Sequence, residues 1–365
     1  MSLTQSSQSL LKVLHLAGSR VSNFYYDLSM IYAKEVVQPP GVSSYYAIVN
    51  PDGFWQLGMS LDSRSEKISL QEMMARLPQI DLVVPHMFCF PGMTSFRAFF
   101  EDILGLPMVG SPCYCTALAT NKAHTKSVVS AAGVRVAKGQ EVRRGDRITL
   151  ETPLIVKPNS EDNSLGLTLV SREDRISEAL EVGFEHDEVL LVEEYIPGRE
   201  LRVGVIEHKG ELWVAPTIEY LVTEKNPVRM VQDKLERRSD GTPYRQSKNS
   251  PVKLVCPADV TPELFEKVAD AAKKAHIALG CRDYSLYDFR VHAQTHEPYL
   301  LEAGLFWSFG KISVISRMLE ADAQNIEEVI LDLWHTAAQR NPVARGSSIV
   351  RHTRRTVFPD RNSTI

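Results

Sequence analysis

Asp288 and Glu302 lie on either side of a short turn-forming run, Gln294-Thr295-His296. A hairpin turning at 294–296 has its centre of symmetry at Thr295 and sets Asp288 directly opposite Glu302, and cross-strand partners share a face. Opposed carboxylates repel unless a cation sits between them, and hard oxygen ligands suit Mg²⁺ held jointly with phosphate oxygens. Two acids on a solvated hairpin face would produce the same pattern. Lys157 is a second candidate: it ends the apolar run 154–156, where a long cation can emerge at a sheet edge toward a phosphate. The loop behind it, Ser160-Glu161-Asp162-Asn163-Ser164-Leu165-Gly166, offers hydroxyl, amide and backbone N–H donors of the kind a triphosphate needs. No G-x-x-x-x-G-K-[ST] spacing accompanies it, so a nucleotide bound here is not held by a P-loop.

The elements that must position these residues follow from periodicity. In the first third, strand-like runs at 12–16, 45–50 and 80–85 alternate with helical patterns at 23–37, 70–77 and 94–104, which predicts a parallel sheet covered by helices. The run 12–16 enters Ala17-Gly18-Ser19, a turn at the carboxyl edge of that sheet, where substrates commonly meet such folds. A helix over 116–132 carries Lys122 and Lys126. Strands at 134–137, 154–156, 167–170 and 188–194, with a helix at 173–183, then form a small α+β unit. Ile196-Pro197-Gly198 reads as a hinge. Strands at 201–206 and 212–220 follow, then a charged stretch at 223–250 that reads as a long mobile loop of the kind that covers active sites. A helix at 262–279, the hairpin 284–302 and helices at 313–320 and 325–339 complete the pattern. The tail 341–365, with Arg345, Arg351, Arg354, Arg355 and Arg361, has little apolar content and reads as flexible.

The chain has 365 residues, 44% of them hydrophobic, enough for a large core in two or three domains. A formal charge of −4 lacks the basic footprint of nucleic-acid binding. There is neither a signal-like apolar run nor an 18-residue apolar stretch, so the expectation is a cytoplasmic protein without a membrane partner. Five cysteines, none in a C-x-x-C pair, read as reduced thiols in packing roles.

Four segments, taken in order, resemble the D-alanine–D-alanine ligase branch of the ATP-grasp superfamily: 154–158, the loop 161–166, 191–200 and 299–303. The similarity spans about residues 11–339. It implies an α/β and α+β chain with a three-domain ATP-grasp fold. Residues 1–112 would form an N-terminal parallel α/β substrate domain, 113–196 a central subdomain, 197–341 a C-terminal subdomain with the metal site, and 342–365 a flexible basic tail. ATP and Mg²⁺ are the implied cofactors, small molecules the implied partners, and a homodimer is allowed. Position by position, Lys122 and Lys157 become ligands of the ATP phosphates. The loop holding Asn163 and Ser164 closes over nucleotide and substrate. Glu193, Glu194 and Ile196 line the adenine pocket, Glu200 binds the ribose, and Lys234 reaches the phosphates. Asp288 and Glu302 hold magnesium. Ser313 meets the carboxylate of the attacking amino acid, and His86 lies beside the first substrate.

The sequence departs from that family in three places. Tyr25 stands where an acidic residue grips the first alanine's ammonium. Leu286 replaces the Arg two residues before the metal Asp, leaving Arg290 or Arg282 to supply the missing cation. Gly304 replaces the Asn of E-x-N. The first substrate is therefore expected not to be an amino acid. The strings 14–19, 87–94, 283–290 and 302–305 are similar to the ligases of mycosporine-like amino acid biosynthesis. These join an amino acid such as serine or threonine to mycosporine-glycine. The other readings are a D-alanine–D-alanine or other dipeptide ligase, and a nucleotide-binding subunit without turnover. Gly304 permits the last, and retention of both lysines and both carboxylates opposes it.

Overall fold

The computed structural model describes residues 10–161, 164–230, 233, 236–237, 243–245, 250–311 and 313–340. These fall into two compact units: residues 10–109, 308–316 and 324–340 make up the first, and residues 110–307 and 317–323 the second.

In the first unit the strand Leu11–Gly18 runs parallel to Val42–Val49 on one side and to Leu82–Pro85 on the other. Trp55–Gly58, a strand the sequence pattern did not signal, pairs antiparallel at the edge. It is only four residues long and half polar, too short for period-2 alternation to register. Leu11–Gly18 and Leu82–Pro85 are buried along almost their whole length, as expected for strands covered on both faces, whereas Val42–Val49 is buried only over its second half. Gly18 turns the first strand at a φ of +88°, and a Cβ there would lie 2.0 Å from the Val49 carbonyl oxygen, so only glycine fits. The pattern over 94–104 resolves into a short α-turn, Ser95–Arg97, and a π-helical segment, Ala98–Ile103.

The second unit holds two larger sheets. One is fully antiparallel, in the order Gly139–Val142, Leu190–Glu194, Leu154–Pro158, Thr168–Val170. Its apolar face closes on Ala179 of the helix Ile176–Phe184, with Val142, Leu154, Val156, Val170, Leu190 and Val192 in one cluster. The expected strand at 134–137 does not form. Val136 makes only an isolated bridge to Leu300, and the true strand starts at Gly139. The other sheet runs Lys253–Val255, Ile218–Leu221, Gly198–His208, Tyr284–His292, Pro298–Gly304, with Glu211–Val214 also paired to Gly198–His208. Against it lies the helix Pro262–Leu279, bounded where its sequence indicates: Thr261 caps the Leu264 N–H, Pro262 opens the first turn, and Gly280 ends it in the left-handed region. Gly198 opens the eleven-residue strand Gly198–His208 directly, so the Ile196-Pro197-Gly198 punctuation leads straight into a sheet.

The expected single helix over 116–132 is two helices, Cys113–Ala119 and Lys122–Ala131. Asn121 breaks it: its side chain accepts from the His124 N–H at 2.8 Å and caps the second helix. Asn competes for backbone donors in this way, which makes it a cap residue rather than an interior one. The five cysteines are free, with the Cys115 and Cys281 sulfurs 3.5 Å apart. No described helix is long and apolar enough to cross a membrane.

Candidate active site

The site is built from an alternation in sequence. Glu200 and Arg202 occupy alternate positions of Gly198–His208, as Asp288 and Arg290 do on the neighbouring strand, so each pair shares one face. The antiparallel register sets Arg202 opposite Asp288 and Glu200 opposite Arg290, so every acid faces a base. On the outer strand Glu302 stands opposite Asp288, as the hairpin argument requires. The route to that register differs from the symmetric turn. Val291 pairs with Pro298, and the extra residue comes from a bulge between Asp288 and Phe289 that leaves Leu301 unpaired and restores the match at Glu302.

Arg202 clamps Asp288 with Nε to Oδ1 and Nη2 to Oδ2, both at 2.5 Å. Arg229, buried, stacks 3.5 Å over the Tyr220 ring and reaches Glu200 at 3.4 Å and Asp288 at 3.5 Å. Arg290 Nη2 lies 3.3 Å from Glu200, and its Nη1 donates to the Gly198 carbonyl. Burial works against charge on Arg202 and Arg229. Asp288 overrides it at Arg202, as do the Tyr220 hydroxyl and the acidic neighbours at Arg229, and both guanidiniums are held above their ordinary range. Sequence reasoning overlooked Arg202 and Arg229. The E-x-R and D-x-R spacing of 200–202 and 288–290 was the available signal for Arg202; Arg229 lies in a loop with no pattern to mark it.

A second group forms around Glu193, which is nearly fully buried. Lys126 Nζ meets its Oε1, and Lys157 Nζ lies 2.5 Å from its Oε2. Burial pushes the Glu193 carboxyl up, but the two lysines outweigh it and hold the group below the usual range. Burial brings Lys126 down to about 8 despite Glu193. Lys122 begins the capped helix and donates to the Glu161 carbonyl. Lysines in a helix's first turn oppose its dipole, an arrangement that an anion can relieve. The loop then turns through Ser164, at a φ of +60°, and Gly166, at +67°, and the Ser164 hydroxyl donates to the Arg229 carbonyl at 2.9 Å. A non-glycine residue in the left-handed region is strained, and such positions cluster at ligand clamps.

Members of both groups line one cleft of the second unit. It brings together Lys122, Lys157, Ser164, Glu193, Glu194, Ile196, Glu200, Asp288, Arg290 and Glu302, residues named on sequence for nucleotide, metal or charge stabilisation. Lys234 and Asn163 lie outside the described residues. Arg282 is not among the lining residues; its Nε donates to the Gly110 carbonyl at 2.7 Å. His86 and Ser313 belong to the first unit. The Ser313 oxygen accepts from the Ser316 N–H, as a cap on the helix Val314–Ala321.

Lys157→Ala is expected to weaken ATP binding by about ten- to a hundredfold, the worth of a charge-assisted hydrogen bond. The fold should persist, because Lys126 still neutralises Glu193. Unchanged nucleotide affinity by titration calorimetry would reduce Lys157 to a counter-ion of Glu193.

Comparison with known proteins identifies the family. Residues 129–334 match the family model described as D-ala D-ala ligase C-terminus. The chain is 29% identical over 246 residues to a D-alanine–D-alanine ligase of Geotalea uraniireducens, covering 65% of this chain and 72% of that one. Its fold is similar to the VanG D-Ala:D-Ser ligase from Enterococcus faecalis, with a TM-score of 0.73 and 21% identity over 90% of this chain and 99% of the other. It is also similar to the Bacillus anthracis D-alanine–D-alanine ligase complexed with ATP, at TM-score 0.64 and 18% identity, over 91% and 98% of the two chains. The chain belongs to the D-alanine–D-alanine ligase family of ATP-grasp enzymes, which are ATP-using, ADP-forming carbon–nitrogen ligases.

Proposed function

We propose that the protein transfers the γ-phosphoryl group of ATP to the ring oxygen of mycosporine-glycine, and that the amine of a small amino acid such as serine or threonine then displaces phosphate. One oxygen–phosphorus bond forms as ADP leaves. The amine nitrogen next bonds the ring carbon, the carbon–oxygen bond breaks, and a proton leaves the nitrogen. The observation that carries the choice of first substrate is the opening turn of the helix Asn23–Glu35. It contains no acidic residue, and Tyr25 packs there against an apolar cluster. An alanine ammonium finds no counter-charge in that turn, whereas a carboxylate or a conjugated oxygen suits the positive pole of a helix.

In this reading Lys122, Lys157 and the Ser164 loop hold the phosphates, Glu193, Glu194 and Ile196 bound the adenine, and Glu200 takes the ribose hydroxyls. Asp288 and Glu302 fit Mg²⁺: both are hard oxygen donors, opposed across the ladder, and magnesium takes one or two carboxylates when phosphate oxygens complete its shell. Bound there, the ion would neutralise charge on the transferring phosphoryl group. Leu286 is buried and apolar, so the chain's own cation beside that charge is Arg290, with Arg202 at the adjoining register position. Exclusion of water by the loops protects the phosphorylated intermediate.

The names of the relatives favour a second reading, a dipeptide ligase acting on D-alanine. The two separate optically. Replacing the ketone oxygen by nitrogen extends the chromophore, so mycosporine-glycine with serine or threonine should give ADP together with absorption moving to longer wavelength. ATP turnover with D-alanine alone, and neither ADP nor a spectral shift with mycosporine-glycine and any amino acid, would establish the dipeptide reading instead.

A further inference from the structure

Asp288, the carboxylate that would share magnesium with Glu302, is already held by cations of the chain itself. Arg202, its neighbour across the ladder between Gly198–His208 and Tyr284–His292, grips both of its oxygens, and the buried Arg229 lies 3.5 Å from Oδ2. From there the charges alternate: Arg229 reaches Glu200 at 3.4 Å, and Arg290 lies 3.3 Å from the other Glu200 oxygen. Glu302, on the far side of Asp288, also acts electrostatically on Arg202 and on Lys126 and favours the charged form of each. Three guanidiniums thus stand among the three carboxylates Glu200, Asp288 and Glu302, and their six formal charges cancel.

A divalent cation meets two obstacles at such a site. The first is a shortage of ligands: among the described residues no group of three or more His, Cys, Asp or Glu side chains is arranged to hold a metal, so the chain supplies the two carboxylates and little else. The second is electrostatic. A guanidinium within hydrogen-bond distance of Asp288 repels an incoming cation over nearly the same separation at which the carboxylate attracts it. Arg202 is 20% exposed and Asp288 5%, so water and salt screen that repulsion weakly. A triphosphate removes both obstacles at once, because it brings oxygen ligands and negative charge together.

We propose that Arg202 is a positioning residue that neutralises Asp288 and so makes divalent-cation binding conditional on the nucleotide: the chain alone holds the ion weakly, and the chain with nucleotide phosphates holds it firmly. This role rests on the reading of Asp288 and Glu302 as the metal carboxylates. It is opposite in sign to that of an ordinary partner which merely orients a metal ligand. Removing such a partner typically costs about ten- to a hundredfold in metal affinity, whereas removing a neutralising cation raises the affinity.

Mn²⁺, which stands in for Mg²⁺ and whose free form is counted by electron paramagnetic resonance, reads this directly when titrated into the full chain. Without nucleotide the unmodified protein should bind it weakly, and a non-hydrolysable ATP analogue should tighten it. Arg202→Met keeps most of the apolar stem and removes the charge; without nucleotide it should bind Mn²⁺ about tenfold more tightly or better. Adding Asp288→Asn to that variant should abolish the gain. Arg202→Lys gives up the two-pronged grip but keeps the charge, and should retain the weak binding of the unmodified chain. If the unmodified chain binds Mn²⁺ no more tightly with the analogue than without it, the proposal is overturned, whether or not any variant folds. Weaker or unchanged binding in a folded Arg202→Met overturns it as well and leaves Arg202 as a residue that orients Asp288, and a gain that survives Asp288→Asn overturns it by placing the ion elsewhere. The reading of the metal carboxylates fails separately, if Mn²⁺ raises the affinity for the analogue as much in Glu302→Gln as in the unmodified chain.

Discussion

The double variant Asp288→Asn, Glu302→Gln is expected to lower turnover by about a hundredfold or more, since even the partners of metal ligands typically contribute ten- to a hundredfold. The two carboxylates stand opposite each other on adjacent strands and both line the cleft. If their task is to hold magnesium, the magnesium concentration giving half-maximal activity should rise steeply in each single variant, Asp288→Asn and Glu302→Gln. A competing role is visible in the same geometry, because Arg202 already grips both oxygens of Asp288. If Asp288 served only to neutralise Arg202, Asp288→Asn would lose stability in urea while its magnesium requirement stayed the same. Titrating magnesium and urea on the single variants separates the two, and near-native turnover in the folded, magnesium-saturated double variant would defeat the metal role.

Glu193→Gln is expected to cost about 3–5 kcal/mol of stability, the loss typical when one partner of a buried ion pair is removed. Glu193 is the carboxylate shared by Lys126 and Lys157, and all three side chains are less than 10% exposed. Without it, two buried ammonium groups face each other uncompensated. ATP should recover part of the loss, because its phosphates bring the missing negative charge and bind only the folded chain. The loss should also depend on pH. The folded value of Lys126, about 8, lies below the ordinary lysine value of about 10.4. Between those values the unfolded chain holds more proton, so this lysine's contribution to stability grows as pH rises through the window, and the cost of charging it is present in full below about 8. The variant lacks the carboxylate that supports the charge, so its deficit should be largest near neutrality and shrink as pH is raised. Urea unfolding at several pH values, with and without ATP, measures both effects. A deficit below 1 kcal/mol that is independent of pH would show that the lysines have other counter-ions.

How much of this could be read from the chain depends on the range of the interaction involved. The helix Pro262–Leu279 was legible to the residue because Thr261, Pro262 and Gly280 act through their own backbone neighbours. The Asp288–Glu302 pairing was legible because a hairpin makes a distant contact local, although its register holds only through the bulge at Leu301. Lys157 announced itself at the end of an apolar strand, and ordered motifs pointed to the family that the comparison then established. The break at Asn121 was local too, but a helical pattern on both sides concealed it. Tertiary structure alone decided which charges meet. Arg202 stands beside Asp288 because strands more than eighty residues apart pair in one register, and Arg229 reaches the same carboxylate from a loop. Lys126 sits in the same helical pattern as Lys122, and only packing buries it against Glu193. His15 meets His86 only through the parallel pairing of Leu11–Gly18 with Leu82–Pro85. The sequence by itself determined residue types, periods and caps, because those act within a few residues along the chain. Proton and charge partners were left to the fold, because Coulomb and hydrogen-bond energies depend on separations of about 3 Å that only the folded chain sets.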